Sequence, residues 1–302
     1  MMLIDTHAHL HFADSYGDDL PRVLENSRAN GVSKVITVGT DAATSQAALE
    51  LAANPAYATA KTGVQIFTTI GLHPHNAGPE ATEKIVELAR QNSTGHPEQR
   101  SPAHFSGSTD SGSESGMTNE REFIASEPGM TDKKPVIVAI GECGLDYYRD
   151  NSPHDEQIAA LEAQIELAEE LDLALIFHVR DAFDDFFEIL SGYANIRGVV
   201  HSFTGGPEQV EKINALGLHF GLNGIMTFTR DQVQLEAAKM IPVDKLLLET
   251  DCPYLAPNPL RGKRNEPANI ALIAKFLAEL RGEKLMDLAE QTTVNAEQLF
   301  SI

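Results

Sequence analysis

Residues 3–11 read LIDTHAHLH and place two histidines, His7 and His9, close behind a short apolar run. The same pattern, an apolar run followed by a side chain that binds divalent metals, recurs along the chain. It leads to Glu142 in VIVAIGECGLDYY, His178 in LALIFHVRD, His201 in RGVVHSFTGG and Asp251 in KLLLETDCPYLAP. Short apolar runs bounded by turn residues are typical of buried strands. We therefore predict that these six side chains lie at strand ends.

Eight apolar runs alternate with helical patterns, which favours parallel strands joined by helices. The predicted strands span 3–6, 33–38, 66–71, 136–141, 174–178, 198–202, 218–222 and 245–249. The clearest helical patterns lie at 20–31, 155–171, 207–217 and 267–280. A chain of 302 residues is near the usual size of one (β/α)₈ barrel. The prediction is therefore an α/β fold, a TIM-like barrel of parallel strands that forms a single domain over residues 1–302.

Residues 91–134 interrupt this alternation. They are rich in Ser, Gly, Thr, Pro and charged side chains and have no sustained apolar period. We interpret them as a flexible low-complexity insertion within the barrel domain. Because the segment precedes the fourth strand, we expect it to emerge on the face opposite the catalytic ends of the strands.

The composition limits the classes of function. A formal net charge of −21 argues against a sequence-independent nucleic-acid coat, which needs many lysines and arginines. A nuclease stays possible, because bound metals invert the charge of a pocket locally. No apolar run reaches membrane-helix length, and MMLIDTHAHL lacks the basic start and long apolar core of a signal sequence, so we expect no membrane association. Only two cysteines occur, Cys143 and Cys252, and each directly follows a predicted ligand, which fits reduced thiols and a reducing cytoplasm. We also expect a monomer.

The six side chains form a coherent metal site if the strands close into a barrel. Residues two apart in a strand face the same way, so His7 and His9 both reach the barrel mouth. Glu142 has two oxygens that could bridge neighbouring metals, and its carboxylate would be costly to bury without cations. We predict that His178 and His201 serve the second metal. Asp251, at the end of the strand beside the first, would hold one metal.

Donors that mix imidazole and carboxylate suit Zn²⁺, Mn²⁺ or, less tightly, Mg²⁺. Two such divalent ions lower the pKa of a water molecule and stabilise both oxygens in phosphodiester cleavage. The catalytic residues would be Glu142 and Asp251, with Asp251 accepting the proton of the nucleophile. Cys143 and Cys252 lack a histidine base arranged for thiol chemistry, so a packing role is expected. Glu249 faces the same way as Asp251 and is predicted to hold a histidine.

Other polar side chains are candidates for substrate contact because they carry imidazole or guanidinium groups near the predicted strand ends. Arginine in particular binds phosphate through two parallel hydrogen bonds. Aromatic residues such as Tyr147, Tyr148 and Phe203 stack on a base or pack in the core. The predicted substrate-binding residues are His73, His75, Arg180, Arg261, Lys263 and Arg264.

Seven motifs, in order along the chain, together resemble the TatD family of metal-dependent hydrolases and deoxyribonucleases, within the amidohydrolase superfamily. The motifs are DTHAHL, GLHPH, IGECGLDYYR, HVR, HSFTGG, ETDCPYLAP and RGKRNEP. The resemblance covers nearly the whole chain except 91–134. It implies a TIM-like barrel, two divalent metals and 3′ to 5′ exonuclease activity on DNA, with single-stranded ends as substrate. The same six residues match the ligand positions of the family, and the insertion departs from its compact pattern.

Two other functions fit the same residues. A metal-activated water also attacks carbonyl carbon, so an amide or ester hydrolase, such as an aminoacyl-tRNA deacylase, is an alternative. A non-enzymatic scaffold that binds partners through the insertion is the third possibility. Substrate competition separates the first two functions, and metal content tests the third.

Overall fold

The computed structural model describes residues 1–93 and 137–302. The strands are β1 (Leu3–Ala8), β2 (Val32–Thr37), β3 (Gln65–Ile70), β4 (Ile137–Asp146), β5 (Ala174–Arg180), β6 (Gly198–Val200), β7 (His219–Leu222) and β8 (Leu246–Leu248). Between and after them lie α1 (Leu20–Ala29), α2 (Ala42–Ala53), α3 (Thr59–Thr62), α4 (Pro79–Ser93), α5 (His154–Leu171), α6 (Phe183–Leu190), α7 (Pro207–Ala215), α8 (Gln232–Met240), α9 (Ile270–Arg281) and α10 (Leu285–Phe300).

The eight strands pair in parallel in the order of the sequence, β1 to β8, and form a nearly closed barrel with helices outside. All ten residues of β4 are buried, because one face of the strand looks into the barrel and the other is covered by helices. The predicted TIM-like α/β fold is therefore confirmed. Over the described ranges, none of the helices combines the length and the apolar character required to cross a membrane.

Side chains from seven strands fill the barrel interior below the site, and the end of α10 closes its floor. This inner cluster includes Ile4, Ile36, Phe67, Val138, Ile176, Val199, Leu247, Leu299 and Phe300. A second, larger cluster lies between the strands and the surrounding helices. The apolar floor leaves only the opposite mouth of the barrel for polar side chains, and this mouth lies at the carboxyl ends of the strands.

The barrel closes through the chain that follows β8, rather than through β8 itself. Ala8 pairs with Cys252 as an isolated parallel bridge, and the amide of Asp251 donates to the carbonyl of His7 over 2.8 Å. Thr250 adds two bonds to the buried carboxylate of Asp5, from its amide over 2.9 Å and from its hydroxyl over 2.6 Å. This closure places Asp251 beside the histidines of β1.

We expect Thr250→Val to lower the free energy of unfolding by about 2 kcal/mol, because it leaves the buried carboxyl group of Asp5 short of one hydrogen bond. Urea titration of the metal-free protein measures the effect. Thr59→Val, on the exposed surface of α3, is the matched control and should change stability by less than about 0.5 kcal/mol. Equal stability of the two variants would show that this side-chain bond does not help to close the barrel.

Some boundaries differ from those predicted. β4 continues past the predicted end at 141 to Asp146, so Glu142 lies inside a strand and not at its end. β6 and β8 are shorter than predicted and end at Val200 and Leu248, so His201 and Asp251 lie in the loops that follow. The predicted insertion, 91–134, lies outside the described residues except for 91–93, which complete α4 and are helical.

Candidate metal centre and substrate cavity

The six predicted ligands converge at the mouth of the barrel, around the carboxylate of Glu142. One oxygen, Oε1, lies 2.8 Å from Nδ1 of His178 and 3.6 Å from Nε2 of His201. The other oxygen, Oε2, lies 3.4 Å from Nε2 of His7. The two oxygens therefore face imidazoles that come from different sides of the barrel. Each of the two oxygens has at least one potential metal-binding side chain beside it.

Asp251 completes the cluster on the β1 side. Its Oδ1 lies 3.4 Å from Nε2 of His9 and 3.8 Å from Nε2 of His7. The ring of His9 is fixed by a contact of 2.8 Å between its Nδ1 and the carbonyl oxygen of Val38, which leaves Nε2 directed into the site. A histidine held through one nitrogen in this way presents the other nitrogen to a metal.

The donors fit divalent cations. The described residues contain three groups in which the potential ligand atoms all lie within 4.8 Å of one another: His7, His201 and Asp251; His7, His9 and Glu142; His73, Glu142 and His178. Both ring nitrogens of His7 are buried and lack a hydrogen-bond partner among the described residues. Buried polar atoms in folded proteins nearly always have a partner, so the unpaired nitrogens of His7 indicate a place for a cation.

His73 lies beside the predicted ligands. Its Nε2 is 3.5 Å from Oε1 of Glu142, and it belongs to one of the three donor groups. The predicted contact of His73 with substrate stays a prediction. Burial lowers the pKa of His73 to about 3, so its imidazole is neutral and able to bind a metal. His75 lies farther out, with Nε2 2.8 Å from Oδ2 of Asp146. The same oxygen lies 3.1 Å from Nε2 of His178.

Glu249 supports His201, in agreement with the interpretation of its strand position. Its Oε1 lies 3.1 Å from Nδ1 of His201, although the two are not aligned as a hydrogen bond. The same oxygen accepts hydrogen bonds from the amide of Ser202 over 2.6 Å and from the side chain of Asn223 over 3.3 Å. Gly221 makes room for the carboxylate, because a side chain there would overlap it.

The electrostatics of the cluster differ from one histidine to another. The pKa values of His178 and His201 are raised, whereas burial lowers those of His7 and His73. Burial opposes ionisation of Glu142, but the nearby histidines hold its pKa well below the usual value. Burial likewise opposes protonation of His201, but the charges of Glu249 and Glu142 raise its pKa to about 10. The pKa of His178 is raised in spite of burial by its contacts with Asp146 and Glu142.

These shifts predict that metal affinity rises with pH. Because the pKa of His201 is about 10, its imidazole carries a proton below that pH, and a metal must displace this proton. The raised pKa of His178 has the same effect on metal binding. Each proton released strengthens binding by up to about tenfold per pH unit. Titrations with Mn²⁺ at several pH values should show this slope, and calorimetry in two buffers of different ionisation enthalpy should show proton release.

Glu249→Gln tests the cause of this pH dependence, because it removes the charge that raises the pKa of His201. We expect this variant to bind Mn²⁺ with a shallower pH dependence and roughly 10- to 100-fold more weakly at high pH, since it also loses the support of the ligand. An affinity that is independent of pH in both proteins would contradict the assignment of His201 as a ligand.

The cluster forms the floor of an open cavity of about 960 Å³. Its wall includes His75, Arg180, Asp146, Arg149, Phe12 and Tyr254. The three predicted substrate-binding residues of the RGKRNEP loop do not line the cavity. Arg264 donates to the carbonyl of Ser15 and pairs with Asp19, and the guanidinium of Arg261 lies 4.4 Å from the ring centre of Phe228. The predicted contact of Arg261, Lys263 and Arg264 with substrate stays a prediction.

Cys143 and Cys252 are unpaired and buried, and burial raises the pKa of both thiols. They are therefore poor nucleophiles, as expected. Among the aromatic candidates, Phe203 is in the core and Tyr147 stacks on His154 at 3.6 Å while donating a hydrogen bond to Asp185. Of these three candidates, Tyr148 alone is available to a ligand.

Sequence reasoning missed Arg149, Phe12 and Tyr254 as residues of the cavity. Arg149 and Tyr254 each follow a predicted ligand within the same motif, seven residues after Glu142 and three after Asp251. This closeness in sequence was the available signal, because residues just beyond a strand end form the rim of a barrel. Phe12 similarly follows His9 by three residues.

A family profile described as TatD related DNase matches residues 4–301. A Bacillus subtilis protein named as the uncharacterized metal-dependent hydrolase YabD is 34% identical over 303 residues, with all of both chains covered. A 3′-5′ ssDNA/RNA exonuclease TatD from Erwinia amylovora is 33% identical over 294 residues, with 95% of each chain covered. The crystal structure of YJJV, a TatD homologue from Escherichia coli, superposes with a TM-score of 0.76 at 26% identity, covering 99% of this chain and 98% of that one.

Proposed function

Because the chain belongs to the TatD-related DNase family, whose profile it matches from residue 4 to 301, we propose that it removes nucleotides from the 3′ ends of single-stranded DNA by metal-dependent hydrolysis. The observation that carries the proposal is the position of Glu142, whose two oxygens face histidines from different sides of the barrel. Relatives named as 3′-5′ ssDNA/RNA exonucleases support the reaction and the end at which it acts.

We propose two divalent ions, Mg²⁺, Mn²⁺ or Zn²⁺, held by His7, His9, Glu142, His178, His201 and Asp251. The overlap of the donor groups supports this number, because His7 and Glu142 each belong to more than one group. Such a pair of ions supplies a water of lowered pKa and stabilises charge on the attacking and leaving oxygens of a phosphodiester.

The side chains around the proposed ions have two further roles, proton acceptance and contact with a phosphate. Burial alone would raise the pKa of Asp251, but its bond with His9 and the nearby charge of His201 keep it below the usual value. The carboxylate is therefore ionised at neutral pH and is able to accept the proton of the attacking water. Arg180 and His75 line the cavity and are placed to contact a phosphate.

Three remaining proposals concern the setting of the protein. The unpaired, buried thiols of Cys143 and Cys252 support a reducing compartment such as the cytoplasm. We retain the monomer and the single domain with an insertion at 91–134 as proposals.

Metal removal and restoration test the function. The metal-stripped protein is incubated with 3′-labelled and 5′-labelled single-stranded DNA, and Mg²⁺, Mn²⁺ or Zn²⁺ is then added back. We expect immediate release of the 3′ label and progressive shortening of the 5′-labelled strand, each only with metal. No cleavage by the metal-loaded protein would reject the DNA assignment, and hydrolysis of an aminoacyl ester or amide instead would establish the alternative.

A further inference from the structure

Two opposite sides of the cavity rim carry different chemistry. The strands follow one another in the order β1 to β8, and the chain after β8 returns to β1, so β4 and β5 lie across the barrel from β8 and β1. Arg149 and Arg180 belong to the β4 and β5 side, whereas Phe12 and Tyr254 belong to the β1 and β8 side. Glu142 and the histidines lie between the two sides.

The β4 and β5 side offers two cationic groups. No carboxylate of the described residues forms an ion pair with Arg149 or Arg180. The guanidinium of Arg180 lies 3.8 Å from the ring centre of Tyr148, a residue that is 60% exposed. A guanidinium stacked on an exposed ring is held in place and still presents its N–H groups to a phosphate.

The β1 and β8 side offers aromatic rings instead. Tyr254 is 56% exposed, and its ring centre lies 6.4 Å from that of Phe12. The ring of Phe12 lies parallel to the ring of His9, with 4.9 Å between centres, which fixes it beside the metal cluster. Among the described residues that line the cavity, no lysine or arginine belongs to the segments directly after β1 and β8.

An enzyme that cuts one nucleotide from an end holds unequal pieces on the two sides of the bond. The terminal nucleotide contributes one base and no phosphate beyond the one attacked, whereas the rest of the strand contributes a phosphate at every step. On the basis of the proposed function, we propose that the terminal base stacks on Tyr254 beside Phe12, and that the strand leaves over Arg149 and the stacked Arg180 and Tyr148. Base stacking on aromatic rings and cationic contact with the backbone are the two general elements of single-strand binding.

The first test combines a variant with a modified substrate. Tyr254→Leu should lower kcat/KM on a ten-nucleotide strand by about 10- to 100-fold. Tyr254→Phe should keep the native kcat/KM, because the ring and not the hydroxyl stacks on the base. A strand whose 3′-terminal nucleotide is abasic should lose a similar factor with the native protein. Tyr254→Leu acting on the abasic strand should lose no larger a factor than either change alone, because both changes remove the same contact.

The second test concerns the direction in which the strand leaves. We compare the Arg149→Gln/Arg180→Gln double variant with Arg261→Gln/Lys263→Gln, which removes the same charge from the RGKRNEP loop. The ratio of kcat/KM for the ten-nucleotide strand to that for a dinucleotide should fall at least about tenfold in the first variant alone. Its salt dependence should become shallower by about 1.4 in log–log slope, since two phosphate contacts are lost. The double variant Lys61→Gln/Lys284→Gln removes the same charge at two exposed positions and is the control for charge.

The outcomes separate this inference from the proposed function. A native protein that fails to cut any strand would reject the proposed function itself. A native protein that cuts, but whose Tyr254→Leu and abasic losses multiply, would reject the stacking contact. A loss of length preference in the Arg261→Gln/Lys263→Gln variant instead would show that the strand leaves on the opposite side.

Discussion

Glu142→Gln is expected to lower kcat/KM on single-stranded DNA by about 10³-fold or more. The carboxylate lies within 3.6 Å of His7, His178 and His201, and its charge would hold the two cations of the proposed site together. A pair of metals contributes several kcal/mol to stabilisation of the transition state, and about 4 kcal/mol corresponds to a factor of 10³. Steady-state kinetics with Mn²⁺, together with metal content by elemental analysis, measure the loss.

The matched control is Glu290→Gln, which makes the same chemical change at an exposed position of α10, on the side away from the cavity. It should keep native activity and metal content. If Glu142→Gln retained two bound metals and near-native kcat/KM, the carboxylate would not bridge the ions, and the donor group of His7, His201 and Asp251 would have to act alone.

Gly144→Ala is expected to cause the largest loss of stability, above about 4 kcal/mol. Gly144 lies in β4 with a φ of +148°, a conformation that residues with a side chain rarely adopt. An added Cβ would also overlap the backbone carbonyl of His178 in the neighbouring strand. The strands β4 and β5 would have to separate at the level of Glu142 and His178, so activity should fall as well. Urea unfolding of the metal-free protein and near-ultraviolet circular dichroism measure the change.

Gly217→Ala distinguishes backbone strain from overlap. Gly217 also has a positive φ, +75°, but no atom within 4 Å of an added Cβ other than its own neighbours. Its replacement should cost only about 1–2 kcal/mol and leave the site intact. If the two variants proved equally stable, the close approach of β4 to β5 would not constrain residue 144.

Much of the fold was predictable because each strand leaves a local signal. A parallel strand buried on both faces reads as a continuous apolar run, as in LALIF before His178 and KLLL before Glu249. The predicted positions of the eight strands agree with the structure to within a few residues, except for the end of β4. That strand continues through Gly141 and Gly144, which usually indicate a turn, because the glycines here allow close approach to β5.

The site was predictable only in part, because distance across a barrel leaves no local pattern. The six donors were identified by their strand ends, and Glu249 by its alternation with Asp251. The place of His73 beside Glu142 depends on how far the loop after β3 folds inward, and the sequence does not encode this as a period. Arg264 was assigned to substrate by charge alone, and that contact stays a prediction; its ion pair with Asp19 joins residues far apart in the sequence and had no local signal.

The closure of the barrel between His7 and Asp251 also links the proposed metal site to folding. The two residues lie 244 positions apart in the sequence, and the amide of Asp251 donates to the carbonyl of His7. The donor group of His7, His201 and Asp251 therefore forms only when the chain after β8 returns to β1. A chain that has not closed the barrel lacks this group, and we expect it to bind metal more weakly than the folded protein.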